Sequence, residues 1–356
     1  MRPDPTFRVL DLAGAHAEAG FLYGREMREL LAPPFAEPYI SALAAINRVD
    51  RNALAFNSKA WAARLPPHYL EQIAGIARGA HATADRVAEF LYADIASQRG
   101  APAVGAMCSG VVAPDGGRNL WVGRNCDWHV ATLSRGTAAV LHAVPGRIPC
   151  MALGLMGDID ADTGVNAERL WLHVHTLLAL DEPRAGVSCI SWLFWLREAL
   201  ETCASLADLE RLLGATDRDR GVIIVACDGK TGESAVYECE RSAFRRIEPD
   251  ARGVLVATNH CAHKHPRADE PRASRPGSTV SRRRRLETIL REAPPESFPH
   301  DLIETLADSA VEMASPSGLT TIYSAVACPA RAEIWFASGI APAASRGTWR
   351  RLPWPW

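Results

Sequence analysis

The feature that most constrains the fold of this 356-residue chain is a change of hydrophobic period near residue 106. Before it, apolar residues recur at helical intervals. Residues 15–31 carry Phe21, Leu22, Met27, Leu30 and Leu31. Pro66-Pro67 open a second stretch, 68–80, with Leu70, Ile73, Ile76 and Ala77 on one stripe, and proline suits a helix start. Residues 84–98 repeat the pattern through Val87, Phe90, Leu91 and Ile95. After residue 106 the apolar runs are short: 108–113, 120–127, 138–144, 150–155 and 170–178. Turn signals such as Pro114-Asp115-Gly116-Gly117 and Pro145-Gly146 separate them. Helices are expected at 190–202 and 206–213, then strand pairs 222–226 with 233–238 and 243–247 with 253–257. A polar, proline-rich loop over 263–278 leads to a helix at 280–292 and a last hairpin, 320–327 with 332–337. Helices first, then antiparallel strands interrupted by helices, predict an α+β chain with two stacked antiparallel sheets covered by helices.

Composition excludes several classes. Hydrophobic residues make up 48% and charged residues 22%, which argues against disorder. A net charge of −2 provides no basic field for nucleic acid. No uncharged apolar run approaches the roughly 18 residues of a membrane span, and no signal core adjoins the first residues, so the cytoplasm is the expected location. The nine cysteines are odd in number and include no Cys-x-x-Cys pair, which argues against a disulfide framework and a structural zinc site.

The turn at Asp115–Gly117 folds 108–113 back on 120–127. Depending on loop length, Cys108 falls opposite Gly123, Arg124 or Asn125, and Arg124 and Asp127 return near the thiol. A guanidinium beside a thiol favours the thiolate, and a carboxylate can orient an amine or amide. The alternative is a core cysteine beside a surface Arg–Asp pair.

Met107-Cys108-Ser109-Gly110 followed by Gly123-Arg124-Asn125-Cys126-Asp127-Trp128 resembles the nucleophile hairpin of N-terminal-nucleophile (Ntn) cysteine hydrolases. That group includes choloylglycine hydrolases, acid ceramidase and acyl-coenzyme A:6-aminopenicillanate acyltransferase. Gly164-Val165-Asn166, Thr258-Asn259-His260 and Ser281-Arg282 resemble later segments of the same family. The long helical lead fits the penicillin-acyltransferase branch. Two positions depart from the pattern. Arg169 stands where a glycine follows Asn166, and the expected oxyanion-hole asparagine falls at His175-Thr176.

The resemblance implies a four-layer αββα sandwich made as a proenzyme and cut between Met107 and Cys108. Residues 1–107 would be a helical prosegment and 108–356 the catalytic part, the two fragments staying together as one integrated domain. Cys108 would be the nucleophile, with Arg124, Asp127 and Arg282 beside it and the Asn259 amide donating to an oxyanion. Trp128, His175, Thr176 and His260 would line the substrate.

An N-terminal cysteine carries its own base, because an α-amino group titrates near roughly 7.7–8.0. The implied reaction is hydrolysis or transfer of an acyl group at a linear amide C–N bond through a thioester on Cys108. The substrate would be a small acyl amide, with an acyl-coenzyme A-dependent N-acyltransferase as the alternative and the coenzyme A thioester then a co-substrate. A non-catalytic small-molecule-binding protein retaining the fold is the rival from another class. No cofactor is implied, and the oligomeric state is open.

Other clusters read as structure. His260, Cys261, His263 and His265 match no usual zinc spacing, so no metal is expected. The run Arg282–Arg285 reads as a solvated face rather than a nucleic-acid contact. Four cations in a helix's first turns oppose its dipole, so at least one, Arg282 on the family match, needs an anionic partner. Trp192, Trp195, Leu196 and Ala199 form a helical stripe expected in the core, with an acyl pocket as the alternative.

Overall fold

The computed structural model describes residues 7–46, 48–97, 107–117, 119–128, 136–157, 159, 161–177, 179, 181–262, 278–292, 297–314 and 318–356. Two sheets stack. The larger has eight strands in the order Phe7–Ala13, Thr137–Ala143, Cys150–Leu155, Thr163–Asn166, Leu170–Leu177, Gly221–Asp228, Glu233–Cys239, Phe244–Ile247. The smaller runs Leu255–Ala257, Met107–Pro114, Leu120–Trp128, Thr320–Cys328, Glu333–Ser338, Thr348–Leu352. Helices Trp192–Thr202 and Leu206–Ala215 lie against the eight-stranded sheet; Thr279–Glu292, His300–Ala307 and Ala343–Arg346 lie against the six-stranded one. This is the expected αββα sandwich, since each sheet must bury both faces.

The lead segment is less purely helical than its periodicity predicts. Phe7–Ala13 is an edge strand, paired in parallel with Thr137–Ala143. Only Leu12 of its seven residues is buried, so no alternation announces it. Helices Pro33–Ile46 and Arg51–Ala62 also form, the second capped by the Asp50 carboxylate accepting from the Asn52 and Ala53 amides. Tyr69 of Pro67–Ala80 stacks on Phe194 of Trp192–Thr202, so the lead packs on the outer helical layer. Its buried residues share one apolar core with the strands. Trp192, Trp195, Leu196 and Ala199 are core, as expected.

A second correction positions the site. Phe244–Ile247 and 253–257 do not pair with each other. The first pairs with Glu233–Cys239, and Leu255–Ala257 crosses to the other sheet and pairs with Val112, Val111 and Gly110. The Asp250 carboxylate accepts from the Arg252 and Val254 amides and closes a compact turn. That turn reads locally like a hairpin, but the free edge of the Met107–Pro114 strand captures the segment after it. The crossing delivers Asn259 to Cys108.

Candidate active site

The site begins with the register of the central hairpin. Pro114 pairs with Leu120 and Cys108 with Cys126, one residue beyond the expected partners. The loop is longer than a tight turn because the Asp115 carboxylate accepts from the Gly117 amide and the Asn119 side chain. Residues opposite one another share a face, so Cys108, Gly110, Arg124 and Cys126 point one way and Ser109, Asn125 and Asp127 the other. Val112 belongs to the core between the sheets and Val111 to the layer under the outer helices. Cys108 and Arg124 therefore face inward, and Asp127 lies on the opposite face from the thiol.

Cys108 is 2% exposed. Arg124 Nη2 donates to its Sγ at 3.7 Å. The guanidinium is held in turn by the Asp162 carbonyl and Thr163 Oγ1 and lies over the Tyr323 ring, 5.4 Å from its centroid. The Asp162 carboxylate is 4.0 Å from it. The Cys126 thiol donates to Cys108 and, together with Arg124, lowers the Cys108 pKa against the opposing effect of burial. Cys126 is pushed well up by the same hydrogen bond and by burial. Cys126, Asp162, Thr163 and Tyr323 carry no sequence signal of their own, since cross-strand and cross-sheet contacts leave no local period.

Arg282 joins the two faces. Its Nη1 donates to the Cys108 carbonyl at 2.6 Å and to Ser109 Oγ at 2.7 Å, and its Nη2 to Asn259 Oδ1 at 3.2 Å. The same Nη1 is 3.5 Å from Asp127 Oδ2. Arg282 thus has the anionic partner its position demanded; Arg283 pairs with Glu287 and Arg285 with Asp308. Asp127 is wholly buried, and Thr321 Oγ1 donates to its Oδ1 at 2.6 Å. Burial pushes its pKa up to about 6, against Arg282 and Thr321, which pull it down.

Asn259 occupies a different post from the one expected. Its Oδ1 accepts from the Cys108 amide at 2.7 Å, while its Nδ2 donates to the Thr176 carbonyl at 3.1 Å and Thr176 Oγ1 at 3.3 Å. The Cys108 N–H can only donate, which fixes the amide's orientation. Here the side chain presents an acceptor, not an oxyanion donor, to the site.

His175 lies behind Gly110 with its Nδ1 donating to the Thr258 carbonyl at 3.1 Å, and it stacks on His173. Burial drops His175 to about 3, so it stays neutral. His260 Nδ1 sits 2.9 Å from Thr279 Oγ1 and 3.1 Å from Thr258 Oγ1. It borders a narrow cleft with Ile223, Val236, Ile247, Val256 and Ala257, Glu238 and Arg283 being its charged members. Trp128 ends its strand within the inter-sheet core.

The turn after Asn166 explains the Arg169 departure. Arg169 has φ +61°, a conformation that favours glycine. Its guanidinium donates to the Ala330 carbonyl at 2.5 Å, anchoring it there. Asn166 holds the Leu200 and Cys203 carbonyls at 2.9 and 2.8 Å.

His263 and His265 lie outside the described residues. Among the described residues no group of three or more His, Cys, Asp or Glu side chains is arranged to hold a metal ion, and no helix is long and apolar enough to cross a membrane.

Residues 112–341 match the family model of acyl-coenzyme A:6-aminopenicillanic acid acyl-transferase. The chain belongs to this acyl-transferase family. It is an enzyme of the acyl-transferase type. Among solved structures, a variant of conjugated bile acid hydrolase from Clostridium perfringens is similar at 12% identity and a TM-score of 0.51, over 69% of this chain and 97% of that one. Penicillin V acylase from Agrobacterium tumefaciens is similar at 15% identity and a TM-score of 0.50, over 69% and 86%. At these identities the likeness is one of fold, the Ntn-hydrolase sandwich. A comparison with curated proteins finds no relative.

Proposed function

We propose that this acyl-transferase family member cuts itself between Met107 and Cys108 and then moves acyl groups from small linear amides through a thioester on Cys108. The observation that carries the reading is the convergence on one residue: Arg124 on the thiol, Asn259 on the amide nitrogen and Arg282 on the carbonyl of Cys108.

In self-cleavage the Cys108 thiolate, favoured by Arg124, attacks the Met107 carbonyl carbon. The C–N bond breaks, and the nitrogen takes up the proton that the thiol gave up and leaves as an amine already hydrogen-bonded to Asn259 Oδ1. Water then hydrolyses the thioester, releasing the Met107 carboxylate and regenerating the thiol. The new α-amine titrates near roughly 7.7–8.0, so near neutral pH it can take the thiol proton and return it to a leaving amine. Arg282 ties this amine's residue to the buried Asp127 carboxylate.

In turnover an amide substrate acylates Cys108 and loses its amine, and water or a second amine takes the acyl group. A coenzyme A thioester would load the same thiol by near-thermoneutral exchange, so acyl transfer and hydrolysis share one intermediate. The two cleavage fragments would remain associated through the Phe7–Ala13 strand and the shared core.

Intact-mass measurement of the purified chain tests this. Wild type should give fragments 1–107 and 108–356 with Cys108 at the new terminus, and Cys108→Ala should remain one chain. A full-length wild type that turns over N-acyl amides would remove self-cleavage from the reading.

A further inference from the structure

One buried thiol beside the site forms and breaks no covalent bond in this chemistry, beyond its hydrogen bond to Cys108. Cys126 stands directly opposite Cys108 in the hairpin register, on the same inward face, and both are free and buried. Opposed residues of an antiparallel pair have Cα atoms roughly 4.5–5.5 Å apart. That lies inside the roughly 4.4–6.8 Å that a disulfide spans. The hairpin backbone therefore needs no movement to join the two sulfurs. Cys108 is also the thiol with a guanidinium at 3.7 Å, the setting in which a cysteine reacts with oxidants. Burial pushes up Cys126, Cys150, Cys203, Cys227 and Cys239 alike, so what sets Cys126 apart is its place directly opposite Cys108 in the strand register.

We propose that Cys126 is a resolving thiol for Cys108, and that a peroxide converts the pair into a reversible disulfide. The Cys108 thiolate attacks one peroxide oxygen. An S–O bond forms, the O–O bond breaks, and hydroxide leaves. The sulfur is oxidised to a sulfenic acid and the peroxide is reduced. The Cys126 thiol then attacks that sulfur. An S–S bond forms, the S–O bond breaks, and the hydroxyl departs as water with the Cys126 proton. The disulfide blocks acylation and diverts Cys108 from irreversible oxidation to sulfinic acid. This inference rests on Cys108 being the nucleophile.

The test treats full-length protein as purified with hydrogen peroxide and reads intact mass, a peptide map and amide turnover. Wild type should lose two hydrogens, yield a linked peptide pair containing Cys108 and Cys126, and lose at least tenfold in turnover, recovered with dithiothreitol. Cys126→Ser should instead gain two oxygens on Cys108 and lose turnover that dithiothreitol does not restore. Wild type that gains two oxygens on Cys108 without a linked pair, or links Cys108 to another cysteine, overturns the proposal. The map is read on cut and uncut chains alike. A protein that neither cleaves nor turns over amides yet links Cys108 to Cys126 therefore refutes the functional reading alone.

Discussion

Asp127→Asn offers a quantitative test of the buried charge on the outer face of the Cys108 hairpin. Asp127 is wholly buried, and among the described residues its Oδ2 accepts no hydrogen bond; Arg282 stands 3.5 Å away. Burial dominates, and the carboxyl titrates at about 6 instead of 3.8. That gap corresponds to about 3 kcal/mol. The folded chain holds the Asp127 proton more tightly than the unfolded chain does. The group's contribution to stability is therefore fully present below pH 3.8 and lost as pH rises through about 6. Asparagine keeps an acceptor for Thr321 and does not titrate. The attraction of Arg282 forms only as Asp127 ionises, so it opposes the slope, and the value of about 6 already includes it. In a Cys108→Ala background, which keeps the chain uncut, urea unfolding should be followed from about pH 4 to 7. The stability of Asp127→Asn relative to its parent should rise by about 2 kcal/mol across that range, the rest of the roughly 3 kcal/mol lying below pH 4. A flat difference would mean that Arg282 and Thr321 fully compensate burial. A falling one would mean that the carboxyl is depressed, and the reasoning would be refuted.

Three further substitutions probe the other contacts. Arg124→Lys keeps the charge but cannot hold Asp162, Thr163 and the thiol together, so turnover per matured site should fall at least about tenfold, and iodoacetamide should alkylate Cys108 more slowly at neutral pH. If both rates stay within a factor of about three, the fork is dispensable. Asn259→Ala should slow self-cleavage by about a hundredfold, while Asn259→Asp, which retains the acceptor facing Cys108, should stay within about tenfold of wild type. Equal slowing in the two variants would instead favour a donor role at the oxyanion. Gly110→Ala would place a Cβ 2.6 Å from His173 Nε2 and 2.9 Å from His175 Nε2, so it should destabilise the chain by about 1–3 kcal/mol in urea unfolding. An unchanged midpoint would show that the histidines can move aside.

The sequence pattern carries the sandwich and the hairpin because both are written in local terms: a switch of period and a Pro-Asp-Gly-Gly turn. The register slipped by one because the Asp115 side chain lengthens the loop, a choice that period-2 alternation does not record. The crossing of Leu255–Ala257 to the other sheet was hidden for a related reason. Two strands joined by a compact turn look like a hairpin, and competition for the edge of the Met107–Pro114 strand is a tertiary event. Phe7–Ala13 was invisible because an edge strand with one buried residue has no apolar rhythm.

Arg282 marks the boundary of what local pattern can say. Read as a run, 282–285 is four cations on a polar helix, and nothing distinguishes one from the next. Read with helical period, Arg282 heads the stripe Arg282, Leu286, Leu290, and those three are the buried residues of Thr279–Glu292. An arginine at the end of an apolar stripe must take its charge into the interior, and there it needs hydrogen bonds and a counter-charge. That requirement singles out Arg282 from periodicity alone and predicts a buried carboxylate facing it. It does not say which carboxylate. Asp127 meets the requirement because its strand turns it toward the helical layer, away from the thiol that the hairpin first suggested it would face. The guanidinium is thus the physical link between the carboxylate on one face of the hairpin and the Cys108 backbone.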